Sequence, residues 1–209
     1  MKENKKTIYV LLTDTGTFLA RAIKWFTGAP YSHVSIVFDE KLDEIYSFGR
    51  KRPRNPLIAG FIKEDVYFGT YRYFRNTNCL LLKLDVTENE YHKIRDKIRA
   101  FENNKDLFSY NLIGLLGVLF SYPIALNNAY FCSQFVAEVF KESGVDLWGP
   151  LHSALVTPND FLLHPRFEYV YEGKLYDYPL LDEEILSNTI VGHTLYDIKP
   201  IAFLKKILL

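Results

Sequence analysis

The chain has 209 residues, of which 48% are apolar and 16% aromatic. This length and composition fit a single domain, residues 1–209, and exclude a disordered chain. Lysine and arginine together number 25, as do aspartate and glutamate, so the formal net charge is zero. Nucleic-acid binders normally carry a basic excess, so no nucleic acid is expected as a partner.

The two cysteines, Cys79 and Cys132, are too few for a disulfide framework or a zinc site of clustered thiols. The polar N-terminus does not resemble the apolar core of a signal peptide. Residues 112–130 are uncharged, but their apolar part is too short for a transmembrane helix, which needs about 20 apolar residues. A cytoplasmic protein without a transmembrane segment is therefore expected.

Strands and a helix are predicted along the first quarter of the chain. Residues 8–12 predict a buried strand, and the apolar spacing within residues 18–26 predicts a helix. Residues 31–38 are rich in β-branched and aromatic side chains, so they predict a second strand with His33 near its middle. A turn then leads to a third predicted strand at residues 44–48.

A polar, Pro-rich loop is predicted at residues 50–55, and a later strand at residues 80–86. Thr87 is predicted to cap a helix that extends to about residue 102, with Glu88 and Glu90 in its first turn. Further elements are predicted as helices at 112–120, 131–143 and 201–209, and as a hairpin around Gly173. Because strands and helices mix without βαβ alternation, the fold class is expected to be α+β.

Residues 173–209 are expected to form a C-terminal extension that packs on the domain. Its last segment, residues 201–209, is apolar and carries two lysines. Packing as a terminal helix is the favoured interpretation, and contact with a membrane surface is the weaker alternative.

Cys132 is a candidate nucleophile because it lies at the start of a predicted helix. A thiol reacts as the thiolate, which the unpaired amides and dipole of a helix N-terminus favour. The Cys132 amide could also contribute to an oxyanion hole. On position alone a buried structural cysteine is the commoner outcome.

His33 is a candidate base because an imidazole within a strand requires a partner. A structural histidine is the favoured interpretation for this residue taken alone. A catalytic cysteine and histidine are defined by their proximity in space, which spacing along the chain does not give.

Two motifs together favour the catalytic interpretation. Residues 27–37 (TGAPYSHVSIV) and residues 130–136 (YFCSQFV) resemble the circularly permuted NlpC-type papain-like enzymes, to which the lecithin–retinol acyltransferase-like proteins are related. In that family the histidine strand precedes the nucleophile helix. Residues 157–161 (TPNDF), followed by a strand, add to the resemblance, which extends over residues 7–172.

The resemblance implies a papain-like fold, with a central antiparallel sheet or partial barrel against helices. It also implies that Cys132 is the nucleophile and that His33 acts as general base and then acid. The family places a polar residue that orients the histidine on the following strand. Ser47 matches that position by register, and Glu44 is the fallback.

Two further features are candidates for substrate binding. Tyr31 could line the cleft, although a packing role has equal support. The four basic residues within positions 50–54 could attract an anionic group such as a peptide carboxylate or a phospholipid head. A solvated loop is the favoured interpretation of that cluster.

The function expected from these residues is hydrolysis of an amide bond in a peptide or cell-wall-like fragment, through a thioester on Cys132. This mechanism needs neither a metal nor an organic cofactor. The alternatives are lipid ester hydrolysis or acyl transfer on the same fold, and a catalytically silent binding module. Ser47 favours the silent module because serine carries no charge to stabilise an imidazolium.

Overall fold

A computed structural model of the chain describes residues 4–17, 20–21, 24–25, 28–52, 55–111, 114, 118 and 122–190. Within these residues the fold is α+β, with a six-stranded antiparallel sheet packed against helices. The strands are β1 (Lys5–Asp14), β2 (His33–Val37), β3 (Ile45–Arg52), β4 (Asn55–Glu64), β5 (Asn78–Thr87), β6 (Ser109–Tyr110), β7 (Ala129–Tyr130) and β8 (Glu168–Lys174). The helices are α1 (Glu88–Asn103), α2 (Cys132–Glu142), α3 (Pro158–Leu163) and α4 (Glu183–Ile190).

The main sheet has the strand order β4-β3-β2-β1-β5-β8. The central strand β1 pairs with β2 through Thr13 and His33 at one end, and with β5 along its whole length. The remaining two strands, β6 and β7, form a separate parallel pair just before α2. The sheet therefore places the start of β2 beside the end of β1.

Alternate residues of the strands fill two apolar layers, as the two-residue period of a strand requires. Ile8, Val10 and Leu12 of β1 belong to the larger layer, which also contains the buried faces of α1 and α2. Leu11 belongs to the layer on the opposite face, where Leu175 and residues around it pack. The sheet is thus covered on both faces.

The helix predicted after Thr87 is confirmed as α1. The Thr87 hydroxyl accepts from the Glu90 amide at 3.2 Å, and the Glu90 carboxylate accepts from the Thr87 amide at 2.7 Å. This reciprocal capping box satisfies two amides at the start of the helix. The helix predicted at 131–143 is also confirmed as α2, which ends before Gly144 at a φ of 92°.

Two sequence predictions are wrong. The predicted loop at residues 50–55 is largely strand, because β3 continues to Arg52 and β4 begins at Asn55. The predicted hairpin around Gly173 is instead one strand, β8, in which Gly173 pairs with Cys79 of β5. In both cases pairing with a neighbouring strand outweighs the local turn signal of glycine or proline.

Other predictions fall on residues outside the described ranges. These are most of the helix at 18–26, most of the helix at 112–120, and the terminal helix at 201–209. Among the described residues, no helix is both long and apolar enough to cross a membrane.

Candidate active site

The candidate nucleophile lies where the sequence predicts it, at the first residue of α2. Phe131 is the N-cap residue and provides no side-chain hydrogen bond, and the first turn contains no acidic residue. The first amides of the helix are therefore not occupied by a side-chain cap, and the positive end of the helix dipole lies at Cys132.

The first turn of α2 is fixed by the residue that follows the cysteine. The Ser133 hydroxyl donates to the Val156 carbonyl at 2.7 Å, and both groups are buried. A buried hydrogen bond of this kind holds the helix start in register with the loop before α3. The position of Cys132 therefore depends on a contact that is distant in sequence.

His33 is the first residue of β2 rather than its middle, which corrects the sequence prediction. Its strand partner is Thr13 near the end of β1, and the amide of Ser32 donates to the Thr13 carbonyl at 3.0 Å. These backbone contacts fix the start of β2. The imidazole is 22% exposed, so one side of it remains open.

The residue that contacts His33 is Glu64, the last residue of β4. Its Oε1 lies 2.7 Å from Nε2 of His33, and its side chain is 6% exposed. Ser35 donates to the same oxygen at 3.0 Å, and Ser47 also donates to it. Three side chains thus converge on one buried carboxylate oxygen.

This arrangement corrects the proposed orienting residue. Ser47 hydrogen-bonds Glu64, and Glu64, not Ser47, contacts the imidazole. The fallback Glu44 lies elsewhere, since its carboxylate accepts from the Tyr46 hydroxyl at 3.2 Å and pairs with Arg95. The charged partner that the sequence interpretation found lacking is therefore present.

Glu64 was missed because its strand was not predicted. Pro56 and Gly60 within β4 are both uncommon in strand interiors, and β4 is an edge strand, where they are tolerated. The apolar pair Phe61 and Ile62 before the carboxylate is the signal that could have indicated a strand there.

The ion pair changes the acid–base properties of both partners. Burial disfavours the charged imidazolium, but the Glu64 carboxylate and the nearby Cys132 thiol outweigh this effect and raise the pKa of His33. Burial likewise disfavours ionised Glu64, but His33, the hydrogen bond from Ser47 and the nearby Tyr71 hydroxyl hold its pKa below the usual range. The charged forms of both groups therefore stabilise each other.

The Cys132 thiol lies near enough to His33 to raise the pKa of the imidazole, so the fold brings the two candidate catalytic residues near each other. Because Nε2 is engaged by Glu64, the ring nitrogen that can serve the thiol is Nδ1. The imidazole thus has a carboxylate bound to it and a thiol in its neighbourhood. This is the arrangement in which a base accepts a proton from a nucleophile while a third group fixes its tautomer.

Gly49 of β3 makes room for the imidazole. A Cβ atom at this position would lie 3.4 Å from Cε1 of His33, 3.2 Å from the Ser47 hydroxyl and 3.0 Å from Cδ1 of Ile62. The absence of a side chain here lets the imidazole pack close to β3.

A cavity of about 240 Å³ opens beside this cluster, and its described lining residues include His33, Glu64 and Arg50. Neither Cys132 nor Tyr31 is among those lining residues, and Cys132 is only 4% exposed. The Tyr31 hydroxyl instead donates to Glu172 of β8 at 2.7 Å. Of the two interpretations of Tyr31, these observations favour the structural role over a position in the cleft.

The basic cluster at residues 50–54 is divided by the fold. Arg50 is half-buried in β3 and lines the cavity, whereas Lys51 and Arg52 are exposed. A single solvated loop does not describe this cluster, because its first residue belongs to the candidate site.

No protein-family model matches the chain, and no curated protein matches it. The likeness of the two motifs to the permuted papain-like enzymes therefore stays a prediction from sequence. The function must be inferred from the geometry of the site.

Proposed function

We propose that this chain is a thiol hydrolase that cleaves an amide bond in a peptide or cell-wall-like fragment, on a permuted papain-like fold. The observation that carries the proposal is the grouping of Cys132, His33 and Glu64, in which the imidazole is hydrogen-bonded to the Glu64 carboxylate and lies near the Cys132 thiol. The chain order, with the histidine strand before the nucleophile helix, agrees with the permuted arrangement.

In this mechanism His33 accepts the proton of the Cys132 thiol, and the thiolate attacks the carbonyl carbon of the substrate amide. The tetrahedral intermediate collapses to a thioester on Cys132 as His33 donates its proton to the leaving amine. Water then attacks the thioester with His33 as base, and the acid product and the thiol are released.

Glu64 supports two parts of this cycle. Its hydrogen bond to Nε2 fixes the ring and leaves Nδ1 as the nitrogen available to the thiol. Its charge stabilises the imidazolium that forms whenever His33 holds the extra proton. The uncapped amides at the start of α2 provide donors for the developing oxyanion.

Two rival functions have less support than amide hydrolysis. The feature in favour of a silent binding module is that Ser47 carries no charge, whereas Glu64 supplies a charged partner to His33. Lipid ester cleavage would require an apolar rim at residues 112–126, most of which lies outside the described residues. Amide hydrolysis therefore stays the leading proposal.

The test is alkylation of the folded protein by iodoacetamide between pH 5 and pH 9, with the modified cysteine identified by peptide mass mapping. We expect rapid modification of Cys132 near pH 6, where an isolated thiol is almost entirely protonated. The His33→Ala variant should lose this reactivity at pH 6, because the thiolate then lacks its counter-ion.

Cys79 is an internal control within the same molecule. It is 1% exposed, and burial together with Glu172 raises its pKa to about 12, so it should stay unmodified while the protein is folded. If Cys132 reacts only above about pH 8, as an ordinary thiol does, the proposed ion-pair enzyme is wrong.

A further inference from the structure

The cavity beside His33 combines cationic groups with hydroxyl groups. Arg50, Lys51 and Lys63 are among its lining residues, and Thr13 and Thr70 are among the hydroxyl residues of its wall. Its volume of about 240 Å³ is below the range of about 300–1,000 Å³ usual for drug-sized ligands. Its size suits a small group at one end of a substrate.

Arg50 is held in place within this wall. Its Nη2 donates to the Thr15 hydroxyl at 3.2 Å and to the Thr17 hydroxyl at 3.1 Å. The guanidinium carbon lies 5.2 Å from the centroid of the Phe74 ring, a cation–π distance. Both hydrogen bonds use one nitrogen of a group that carries five N–H donors in a planar fork.

No carboxylate of the described residues pairs with Arg50. Among the described residues Arg50 forms no ion pair, and burial lowers its pKa. The two acidic residues of the cavity wall are engaged with other groups, since Glu64 binds His33 and Asp65 accepts from the amides of Tyr67 and Phe68 at 2.8 Å each. Burying an unpaired charge is costly, and an anion from outside the chain would offset that cost.

Tyr110 relates this charge to the nucleophile. It lines the cavity, and both Cys132 and Arg50 lie near enough to act electrostatically on its hydroxyl. His33, which lies near Cys132, forms another part of the same wall. The cavity wall therefore contains both the candidate base, His33, and Arg50.

We propose that the cavity binds an anionic group of the substrate, a carboxylate or a phosphate, through the guanidinium of Arg50. The preferred substrates are then acyl compounds that carry a negative charge a few atoms from the scissile carbonyl. This inference rests on the proposed function, because it assumes that the acyl group is delivered to Cys132.

The experiment compares matched alkylating probes that differ in charge. In the first pair, N-iodoacetylglycine carries a carboxylate where N-iodoacetylglycinamide carries a neutral carboxamide. In the second pair, the iodoacetamide of phosphoethanolamine carries a phosphate that the iodoacetamide of ethanolamine lacks. We expect the anionic member of at least one pair to modify Cys132 about tenfold faster than its neutral partner, the size of effect that a charge-assisted hydrogen bond gives. The pair that shows the preference identifies the anion.

Three variants test whether Arg50 causes the preference for the anionic probe. The ratio of anionic to neutral rates should fall to about one in Arg50→Gln and stay partly raised in Arg50→Lys, which keeps the charge but not the fork. Arg52→Gln is the matched control, because Arg52 is an exposed arginine of the same strand outside the cavity wall, and its ratio should equal that of the native protein. The native ratio should also decrease as salt is added.

A ratio near one for both pairs in the native protein, or a preference that survives in Arg50→Gln, would overturn the inference. The neutral probes alone report on the proposed function, so the two failures are distinguishable. If Cys132 does not react, binding is measured instead as thermal stabilisation of the protein by N-acetylglycine against N-acetylglycinamide. Equal stabilisation by the two compounds, together with equal stabilisation by phosphoethanolamine and ethanolamine, would reject the anion site.

Discussion

Glu64 and His33 are in contact although their strands are not neighbours. Glu64 ends β4 and His33 begins β2, with β3 between them, and yet Oε1 and Nε2 are 2.7 Å apart. Adjacent strands are about 4.8 Å apart, so both side chains must reach over β3. They can do so because β3 presents the small residues Ser47 and Gly49 there.

The first prediction concerns the charge of Glu64. In Glu64→Gln the imidazolium loses its counter-ion. The ion pair then no longer raises the pKa of His33, and burial lowers it. We expect the rate of Cys132 alkylation at pH 6 to fall at least about tenfold, the effect of a change of one pKa unit. The measurement is the pH profile of iodoacetamide modification.

Glu44→Gln is the matched control for this change. It removes a carboxylate that pairs with Arg95 and not with His33. Its alkylation profile should coincide with that of the native protein. An equal loss of reactivity in both variants would contradict a specific role for Glu64.

A second prediction concerns the size of residue 47. Ser47 is fully buried and donates a hydrogen bond to the Glu64 carboxylate, which extends over it toward His33. Ser47→Ala removes one hydrogen bond to a charged group, which should lower the free energy of unfolding by about 2 kcal/mol and keep the pH profile. Ser47→Val adds bulk and should disrupt the contact between Glu64 and His33, at a further cost of about 1–3 kcal/mol.

Urea unfolding and the alkylation profile together check this prediction. At pH 6 Ser47→Ala should keep the native alkylation rate, whereas Ser47→Val should react more slowly. If Ser47→Val retains native reactivity, the space over β3 is not what permits the ion pair.

The third prediction uses the paired glycines of β3 and β4. Gly49→Ala places a methyl group 3.0 Å from Cδ1 of Ile62 and 3.2 Å from the Ser47 hydroxyl, so Ser47, which binds Glu64, must shift by a few tenths of an ångström. Small displacements of catalytic groups are costly, and we expect about a tenfold loss of alkylation rate. Gly60→Ala is the control, because Gly60 pairs with Gly49 and its methyl group mainly meets the flexible end of Lys51.

The quantity to compare is the alkylation rate of Gly49→Ala against that of Gly60→Ala. Melting temperatures measured in parallel show whether either methyl group destabilises the sheet. A slower reaction in Gly60→Ala than in Gly49→Ala would contradict the proposed packing of the imidazole against β3.

The fourth prediction is the pH dependence of stability. Glu64 has a lowered pKa, so its contribution is complete above the ordinary value of 4.5 and is lost as the pH falls below it. His33 has a raised pKa, so its contribution is complete below the ordinary value of 6.5 and is lost as the pH rises above it. The pair therefore stabilises the fold most between these two values.

Urea unfolding of the native protein and of Glu64→Gln measures this contribution. The three pH values are 3.0, which is below the range of greatest stabilisation, 5.5, which is within it, and 8.5, which is above it. We expect the native protein to be more stable by about 2 kcal/mol at the middle pH, and by less at both ends. A difference that is the same at all three would contradict a titrating ion pair.

The amino-acid sequence predicts much of the framework of this protein. The buried run of β1, the capping residues of α1 and the glycine after α2 are local patterns, and each element forms where its pattern lies. The motifs around His33 and Cys132 also select the two residues that the fold brings near each other. Local patterns succeed here because propensity and packing agree.

The remainder of the site depends on contacts between distant segments. An edge strand with Pro56 and Gly60 carries no clear local signal, and it forms because β3 provides a partner for its backbone.

The sequence alone thus determined the candidate nucleophile and base. Tertiary structure decided that Glu64 contacts His33 and that Arg50 faces a cavity. The physical reason is that a buried carboxylate or guanidinium is positioned by groups from several strands and loops, whose proximity no short stretch of chain encodes.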